Sequence, residues 1–289
     1  MRILVIGGNS TIAKAFVKHS PKEIECTVIK RDFLMNDYFS LEEKSFEGFD
    51  ALINFTAAVH NAISDPQLIR RINTDLPLFL ARMSIKSGIT HFVQMSTIAV
   101  YGNHKTFIDS STVEHPDSLY ASSKFEADIA LQNMQSDTFN VTIIRPPIVY
   151  GYNAPGNMKQ LQKLIHFLPI LPLGYDNNHR SILYIDNLVS ALWLVIIRQA
   201  KGVILLRDTL TPSLQEITTL IIRYSKIKRY ILPIPKLMVQ WLCTLERLPF
   251  YKLFGSLIID DSYAREHLGD YSLTSIDHAF KKTLQGDVK

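Results

Sequence analysis

Short apolar runs that alternate with helical segments constrain the fold of this chain more than any other feature. The runs are residues 3–6, 26–29, 51–55, 91–95 and 141–144, and they are rich in Ile, Val and Leu. Apolar runs of this length are typical of buried β-strands. Strands that alternate with helices predict a parallel sheet with helices on both faces. We therefore predict an α/β fold with a Rossmann-like, doubly wound parallel sheet.

The residues that follow these runs are small, polar or basic. They are Gly7, Lys30-Arg31, Ala57-Ala58, Ser96-Thr97 and Arg145-Pro146-Pro147. Ligands of parallel α/β sheets bind beyond the carboxyl ends of the strands. The sequence therefore predicts a ligand site at this edge of the sheet.

A glycine turn follows the first run and leads into a predicted helix at 12–18. Ser10 and Ala13 stand where the usual phosphate-binding pattern has its second and third glycines. Both are small, and the N–H groups of a helix N-terminus face an anion well. An ordinary turn between a strand and a helix is the alternative. We predict that this turn binds a dinucleotide through Gly7, Asn9, Ser10, Thr11 and Ile12.

Tyr120 and Lys124 are four residues apart in a predicted helix that starts near Ser118. This spacing places both side chains on one helical face. A fixed ammonium favours a phenolate, so we expect Lys124 to lower the pKa of Tyr120 and make it a proton shuttle. Thr97 could hydrogen-bond with the substrate oxygen that exchanges a proton with Tyr120. Pairs with this spacing are common, so the interpretation depends on the surrounding motifs.

Composition sets broad limits. The chain has 289 residues, of which 47% are apolar and 20% charged, which is typical of a globular enzyme. A formal charge of +4 is too small to indicate nucleic acid binding. Cys26 and Cys243 are expected to be buried free thiols, and the histidines show no metal-binding pattern. We expect no secretory signal, no membrane span and a cytoplasmic location.

The composition changes after Gly151, where Pro, Gly, Asn and Tyr become frequent. We expect residues 1–150 to form a dinucleotide-binding domain, to which parts of 180–210 return. Residues 151–289 would mainly form a smaller, mixed substrate-binding region. Within it, the Pro-interrupted stretch 232–254 is expected to cover a pocket.

Six motifs in a fixed order carry a family resemblance. They are residues 50–58, Asn73, residues 96–102, Tyr120 with Lys124, residues 145–151 and residues 180–188. The chain resembles the extended short-chain dehydrogenases/reductases of the epimerase/dehydratase type, which act on nucleoside-diphosphate sugars. Residues 156–158, 171–174, 255–262 and 268–269 resemble a branch that reduces or epimerises 4-keto-6-deoxy-hexosamine nucleotides for surface polysaccharides.

The resemblance implies roles for these residues. Tyr120 would be the acid/base on the C4 oxygen of the sugar, Thr97 would bond the same oxygen, and Lys124 would hold the nicotinamide ribose. Ala57, Ala58 and Pro147 would line the cofactor site. Asn73 would bend a helix or relay a proton. The implied function is a 4-ketoreductase, with a 4-epimerase that retains NAD as the alternative and a non-catalytic dinucleotide sensor as a third possibility.

The end of the second strand bears on the cofactor. A basic residue there accommodates the 2′-phosphate of NADP, whereas an acidic one bonds the ribose of NAD. The chain has Lys30-Arg31-Asp32. A guanidinium suits a phosphate, so Arg31 favours NADP, while Asp32 leaves NAD possible.

The resemblance also indicates how the substrate is held. Arg180 and Asn157 would bind the pyrophosphate, although Arg180 could instead form an ion pair with Asp176 or Asp186. Asp186 is expected to cap the helix that follows it. A homodimer would form through helices near residues 76–86 and 120–134.

Overall fold

A computed structural model describes residues 1–30, 41–58, 65–154, 156–244 and 250–286, without the side chain of Asn157. The strands are β1 (Arg2–Ile6), β2 (Glu25–Ile29), β3 (Ala51–Asn54), β4 (His91–Met95), β5 (Phe107–Ile108), β6 (Asn140–Arg145), β7 (Ile148–Tyr150), β8 (Ile170–Gly174), β9 (Ile182–Tyr184), β10 (Gly202–Leu205), β11 (Tyr230–Pro233) and β12 (Ile258–Ile259). The helices are α1 (Thr11–Lys18), α2 (Pro66–Arg70), α3 (Leu76–Lys86), α4 (Leu119–Gln132), α5 (Asn157–Phe167), α6 (Ile185–Ile197), α7 (Leu214–Ser225), α8 (Lys236–Cys243), α9 (Phe250–Phe254), α10 (Ser262–Leu268) and α11 (Ile276–Gln285).

One parallel sheet organises the fold. Its strand order is β10-β6-β4-β3-β1-β2. All five runs predicted as strands belong to it, and β10 adds a further strand beside β6, so the predicted Rossmann-like fold is confirmed. The chain places β2 on one side of β1 and β3 on the other. A reversal of this kind opens a crevice at the carboxyl ends of the strands, where ligands bind.

Alternate residues of β1 face two separate cores. Ile3 and Val5 pack with apolar residues of α1 and α6, whereas Leu4 and Ile6 pack with α3. All four side chains are completely buried. Helices therefore cover both faces of the sheet, which explains why its strands are apolar at nearly every position.

A third apolar core lies outside the sheet. It joins β8 and α5 to α7, α8, α9 and α11. Short parallel pairs connect this region, namely β7 with β9, β8 with β11 and β5 with β12. The region is therefore mixed in structure, with strands too short to form a second large sheet.

The cysteines differ from the prediction. Cys26 and Cys243 are free thiols but only partly buried, because β2 is the edge strand and Cys243 is the last residue of α8. Among the helices in the described parts of the chain, none is long and apolar enough to cross a bilayer.

Candidate active site

The glycine turn after β1 lies where the strand order reverses. Gly7 has a φ of 82°, and a Cβ at this position would lie 3.0 Å from the main-chain nitrogen of Thr56. A larger residue would be strained and crowded there. The N–H groups of Gly7 and Gly8 both donate to the carbonyl of Ile29, at 2.9 and 3.2 Å. The turn therefore ties together the ends of β1, β2 and β3.

Ser10 and Ala13, which replace the expected glycines, fit this turn. Ser10 is the N-cap of α1 with a φ of −67°, and its Oγ accepts a hydrogen bond from the Ala13 N–H at 3.1 Å. A serine with this φ needs no glycine and satisfies one N–H of the helix end. Ala13 is completely buried against the core that contains α6. The degenerate motif thus keeps small residues and a capped helix N-terminus.

A cavity of about 540 Å³ lies over this turn and the ends of β3 and β4. The predicted cofactor and catalytic residues that line it are Gly7, Asn9, Ser10, Thr11, Ile12, Ala57, Thr97, Tyr120, Lys124 and Pro147. A helix N-terminus, small residues and a buried ammonium suit a dinucleotide, which brings an anionic pyrophosphate and ribose hydroxyls. Arg31 lies outside the described residues, and its contact with the cofactor stays a prediction.

Ala58 is completely buried and is not among the residues that line the cavity, so its predicted contact with the cofactor stays a prediction. Asn73 holds it in place. The Asn73 Oδ1 accepts from the Ala58 N–H at 2.8 Å, and its Nδ2 donates to the Ala58 carbonyl at 2.9 Å and to Ser123 Oγ at 3.0 Å. Asn73 lies in a π-helical turn (Arg71–Asp75) between α2 and α3. Its hydrogen bonds therefore join the end of β3 to α4 and support the structural interpretation of this residue.

Lys124 lies one turn after Tyr120 on α4, and its side chain is almost completely buried. Its Nζ donates to the carbonyls of Thr56 at 2.9 Å and Met95 at 3.0 Å. Burial lowers the pKa of Lys124 to about 8. An ammonium has three N–H donors, so one more donor can serve a ligand.

Tyr120 does not have the lowered pKa that the sequence suggested. Burial raises the pKa of Tyr120 to about 12, although the hydroxyl of Thr97 lowers it in part. Lys124 is not among the groups that shift the pKa of Tyr120. The carboxylate of Asp128 raises the pKa of Tyr120 further. The phenol is therefore protonated at neutral pH in the protein without ligands.

Thr97 follows β4 and serves two purposes. Its Oγ1 accepts a hydrogen bond from the Ala99 N–H at 3.2 Å, which caps the 3₁₀-helix Ile98–Tyr101. The same hydroxyl is close enough to Tyr120 to lower the pKa of its phenol. The backbone cap and the contact with the phenol are therefore compatible.

A second cavity, of about 270 Å³, adjoins the first. Thr97, Pro146 and Pro147 line both cavities, and Arg180, Tyr251 and Lys252 line the second. Tyr251 and Lys252 belong to α9, within the stretch expected to cover a pocket.

Arg180 points its guanidinium at main-chain oxygens. Its Nη1 donates to the carbonyls of Lys252 at 2.6 Å and Gly255 at 3.0 Å. It forms no ion pair with a described carboxylate, Asp176 and Asp186 included, and burial lowers its pKa. A partly buried cation without a carboxylate partner can bind an anionic ligand.

Two other predictions concern the ends of helices. Asp186 does not cap α6, because the helix begins at Ile185 and Asp186 lies within its first turn. Its carboxylate lies 3.8 Å from the Nζ of Lys282. Asn157 is the first residue of α5, but its side chain is not described, so its predicted substrate contact stays a prediction.

Comparison with known families decides the identity. The family model described as "NAD dependent epimerase/dehydratase family" matches residues 3–205. The chain belongs to this family. The match includes the glycine turn, Thr97, Tyr120, Lys124 and Arg180.

Two curated relatives support the membership. The chain is 32% identical over 236 residues to the UDP-glucose 4-epimerase of Vibrio cholerae, which covers 75% of this chain and 69% of the relative. It is 27% identical over 151 residues to the N-acetyl-alpha-D-glucosaminyl-diphospho-ditrans,octacis-undecaprenol 4-epimerase of Escherichia coli O157:H7, covering 51% and 46%.

Solved structures of epimerases and reductases share the fold of this epimerase/dehydratase family member. The UDP-glucuronic acid 4-epimerase of Bacillus cereus, in complex with NAD, has a TM-score of 0.78 at 16% identity over 99% of this chain and 96% of that one. The dTDP-4-dehydrorhamnose reductase of Bacillus anthracis, in complex with NADP, has a TM-score of 0.78 at 17% identity over 99% of both. At these identities the likeness establishes the fold alone.

One buried network in this family member was not predicted from the sequence. Asp128 Oδ2 accepts hydrogen bonds from Ser96 Oγ at 2.7 Å and from Arg145 Nε at 3.0 Å. The Arg145 Nη1 donates to Tyr101 OH at 2.8 Å and to Glu114 Oε1 at 2.6 Å. The guanidinium of Arg145 therefore bonds with other side chains of the protein, although its place at a strand end suggested a ligand contact. The signal that could have revealed Asp128 is its spacing of four residues from Lys124.

Proposed function

We propose that this family member transfers hydride at C4 of a nucleoside-diphosphate sugar, with a nicotinamide dinucleotide as its cofactor. The observation that carries the proposal is the shared wall of the two cavities, where Thr97 lines both and its hydroxyl lowers the pKa of the neighbouring Tyr120. The first cavity would hold the dinucleotide and the second the sugar diphosphate. Their shared wall would bring the reacting carbon close to the nicotinamide, so that much of the rate enhancement comes from orientation.

Tyr120 and Thr97 would have different roles at the C4 oxygen of the sugar. Tyr120 would exchange a proton with the C4 oxygen, and Thr97 would donate a hydrogen bond to the same atom. Lys124, held by the ends of β3 and β4, would direct its remaining N–H to the nicotinamide ribose. The bound nicotinamide supplies or accepts the hydride.

The 4-ketoreductase is the first candidate. Reduction of a 4-keto sugar requires a proton donor at the C4 oxygen, and the phenol of Tyr120 would supply that proton. The 4-epimerase is the second candidate, since both curated relatives have 4-epimerase names.

The preference for NADP over NAD rests on Arg31. This residue follows the end of β2, where a guanidinium suits a 2′-phosphate. Asp32 keeps NAD as the alternative. Both residues lie outside the described part of the chain.

Arg180 is our candidate for the substrate diphosphate, together with Asn157. The nucleoside diphosphate is the first choice of carrier. A polyprenyl diphosphate is the alternative, because the E. coli relative is named for a sugar on that carrier. A cation in the second cavity would serve either, since both carriers place a diphosphate next to the sugar.

Three further expectations belong to the proposal. Residues 1–150, with a return at 180–210, would bind the dinucleotide, and residues 151–289 would mainly bind substrate. A homodimer would pair α3 and α4. Of the apolar residues on α4, Ile129 is exposed and available for this pairing, whereas Leu131 is fully buried and belongs to the core. A cytoplasmic location also stays a prediction.

The test combines cofactor and substrate. The purified protein is mixed with NADPH or NADH and with a 4-keto-6-deoxy-hexosamine nucleotide, and loss of absorbance at the reduced nicotinamide band is followed. Consumption of cofactor with one equivalent of sugar supports the reductase. Interconversion of a UDP-hexose pair without net use of cofactor supports the epimerase. Saturable cofactor binding with neither reaction on any sugar nucleotide would overturn the proposal in favour of a sensor.

A further inference from the structure

An exposed apolar surface lies outside both cavities, in the region that contains β8, β11 and α8. We call it the apolar face. Its members are large hydrophobic side chains, and all of them are exposed: Phe167, Ile170, Tyr230, Leu232, Leu237, Met238 and Trp241. Large exposed hydrophobic patches usually mark a binding surface.

The strand part of the apolar face is one side of a small parallel sheet. Ile170 on β8 pairs with Tyr230 on β11. Leu232, two residues after Tyr230, is exposed as well, and the pairing of the two strands becomes irregular after Ile231. Leu171, on the opposite side, is completely buried. The sheet therefore has one core side and one apolar side that faces solvent.

The helical part of the apolar face follows directly. Only Ile234 and Pro235 separate β11 from α8. On α8, Leu237 and Met238 lie within one turn of Trp241 and are exposed with it, while Val239 packs in the same core as Leu171. An eight-residue helix therefore presents its inner side to the core and its outer apolar side to solvent.

The two segments of the chain that contain the apolar face carry charge of a single sign. Residues 157–175 and 224–244, which contain the whole face, hold six of the 31 Lys and Arg residues and none of the 27 Asp and Glu residues. The rest of the chain therefore has a formal charge of −2, against +4 for the whole. The cations are Lys159, Lys163, Lys226, Lys228, Arg229 and Lys236, and the five lysines among them are exposed.

The cations lie next to the apolar side chains. Lys163 is four residues before Phe167 on α5, so both share one helical face. Lys228 precedes Tyr230 by two residues, and Lys236 directly precedes Leu237. Arg229 fixes this arrangement, because its Nε donates to the carbonyl of Ile165 at 2.9 Å and so ties the start of β11 to the end of α5.

We propose that the apolar face docks the protein on the surface of an anionic lipid bilayer. Shallow insertion suits an apolar surface that carries Trp and Tyr and is surrounded by lysines, because the aromatic rings occupy the headgroup level while the ammonium groups contact lipid phosphates. A protein partner fits less well, since lysine is depleted in protein–protein interfaces. The eight residues of α8 would lie in the interface without crossing the bilayer.

Docking would act next to the second cavity. The inner side of α8 packs in one core with Phe250 and Phe254 of α9. The same short helix carries Tyr251 and Lys252, which line that cavity. A docked protein would thus hold one wall of the cavity close to the bilayer.

Vesicle binding of the full chain tests the inference, whatever reaction the protein catalyses. Sedimentation with vesicles of phosphatidylcholine alone is compared with vesicles that also contain phosphatidylglycerol. We expect binding to the anionic vesicles, weak binding to the neutral ones and loss of binding at high salt. The chain has two tryptophans, of which Trp241 is exposed and Trp193 is buried. A blue shift of Trp241 emission, retained in Trp193→Phe and lost in Trp241→Phe, would report insertion.

A matched pair of variants locates the contact. Leu237 and Leu273 are exposed to 79% and 72%, but only Leu237 belongs to the apolar face. We expect Leu237→Glu to reduce partitioning by about tenfold or more, and Leu273→Glu to leave it nearly unchanged. Circular dichroism would establish that both variants are folded. No binding to anionic vesicles, or equal losses in both variants, would overturn the proposal. Self-association that Leu237→Glu abolishes, without vesicle binding, would assign the face to a second copy of the chain.

Discussion

Asp128 lies one helical turn after Lys124 on α4, and both side chains are buried, with exposures of 0% and 1%. The carboxylate of Asp128 raises the pKa of Lys124, whereas burial lowers it to about 8. Arg145 and Ser96 hold the carboxylate in place. The charge of the lysine proposed to bind the nicotinamide ribose therefore depends on a residue outside the family motif.

The first prediction concerns this dependence. Above about pH 8, Lys124 loses its proton in the cofactor-free protein, so cofactor affinity should fall as the pH rises through that value. Asp128→Asn removes the negative charge, and we expect the fall to begin at a lower pH. The measurement is NADPH affinity against pH by fluorescence titration.

Glu114→Gln is the matched control for Asp128→Asn. It also removes a carboxylate that contacts Arg145, at 2.6 Å, but Glu114 does not act on the pKa of Lys124. Its pH profile should match that of the unchanged protein. A midpoint that is the same in both variants and the unchanged protein would contradict the coupling between Asp128 and Lys124.

Tyr120→Phe should separate chemistry from binding. The variant loses the proton donor but keeps the ring, so we expect kcat to fall by about 100-fold or more while NADPH affinity changes little. Stopped-flow turnover and cofactor titration measure the two quantities. Tyr230→Phe, on an exposed tyrosine, should have neither effect. Full activity of Tyr120→Phe would remove this residue from the proposed mechanism.

Arg180→Met should weaken substrate binding. Loss of a charged hydrogen-bond donor to a phosphate costs about 1.5 to 3 kcal/mol, so KM for the sugar nucleotide should rise by about tenfold or more, with a smaller change in kcat. NADPH affinity should stay the same. Arg223→Met is the control, because Arg223 is exposed and pairs with Asp277 at 3.3 Å. An unchanged KM would mean that another group binds the diphosphate.

Arg31 should determine the preference of the protein for NADPH over NADH. Arg31→Ala should weaken NADPH binding by about tenfold or more and leave NADH binding almost unchanged, because only NADPH carries the 2′-phosphate. Lys30→Ala, the neighbouring substitution, serves as the control. Equal losses for both cofactors would show that Arg31 does not distinguish between them.

His91 should make the protein sensitive to acid. Its Nε2 bonds Thr142 Oγ1 at 2.8 Å, and burial lowers the pKa of His91 to about 4. The unfolded chain therefore binds a proton at a higher pH than the folded one, so stability falls as the pH drops from about 6.5 towards 4. The loss from His91 should be about 2 kcal/mol between pH 7 and 5.

Urea unfolding at the two pH values measures this contribution. His91→Gln should lose less stability on acidification than the unchanged protein, by about 2 kcal/mol. His166→Gln, at an exposed histidine, should behave like the unchanged protein. Equal pH dependence in all three proteins would contradict a neutral buried His91.

The sequence alone determined five strands of the large sheet, the glycine turn and the spacing of Tyr120 and Lys124. These features are local, because an apolar run forms a buried strand and a spacing of four shares a helical face wherever the element is packed. The family motifs are local as well, because each is a short run of residues or a fixed spacing along the chain.

Only the tertiary structure decided the electrostatics of the site. The ammonium of Lys124 donates to Thr56 and Met95 because two distant strands end beside α4, and burial there raises the pKa of Tyr120 where the sequence suggested a decrease. Ser96 and Arg145, which hydrogen-bond with Asp128, also come from distant parts of the chain. A pKa depends on which groups surround a side chain and on how much water they exclude. Residues far apart in the chain supply the surrounding groups and exclude the water, so no local sequence pattern predicts these pKa shifts.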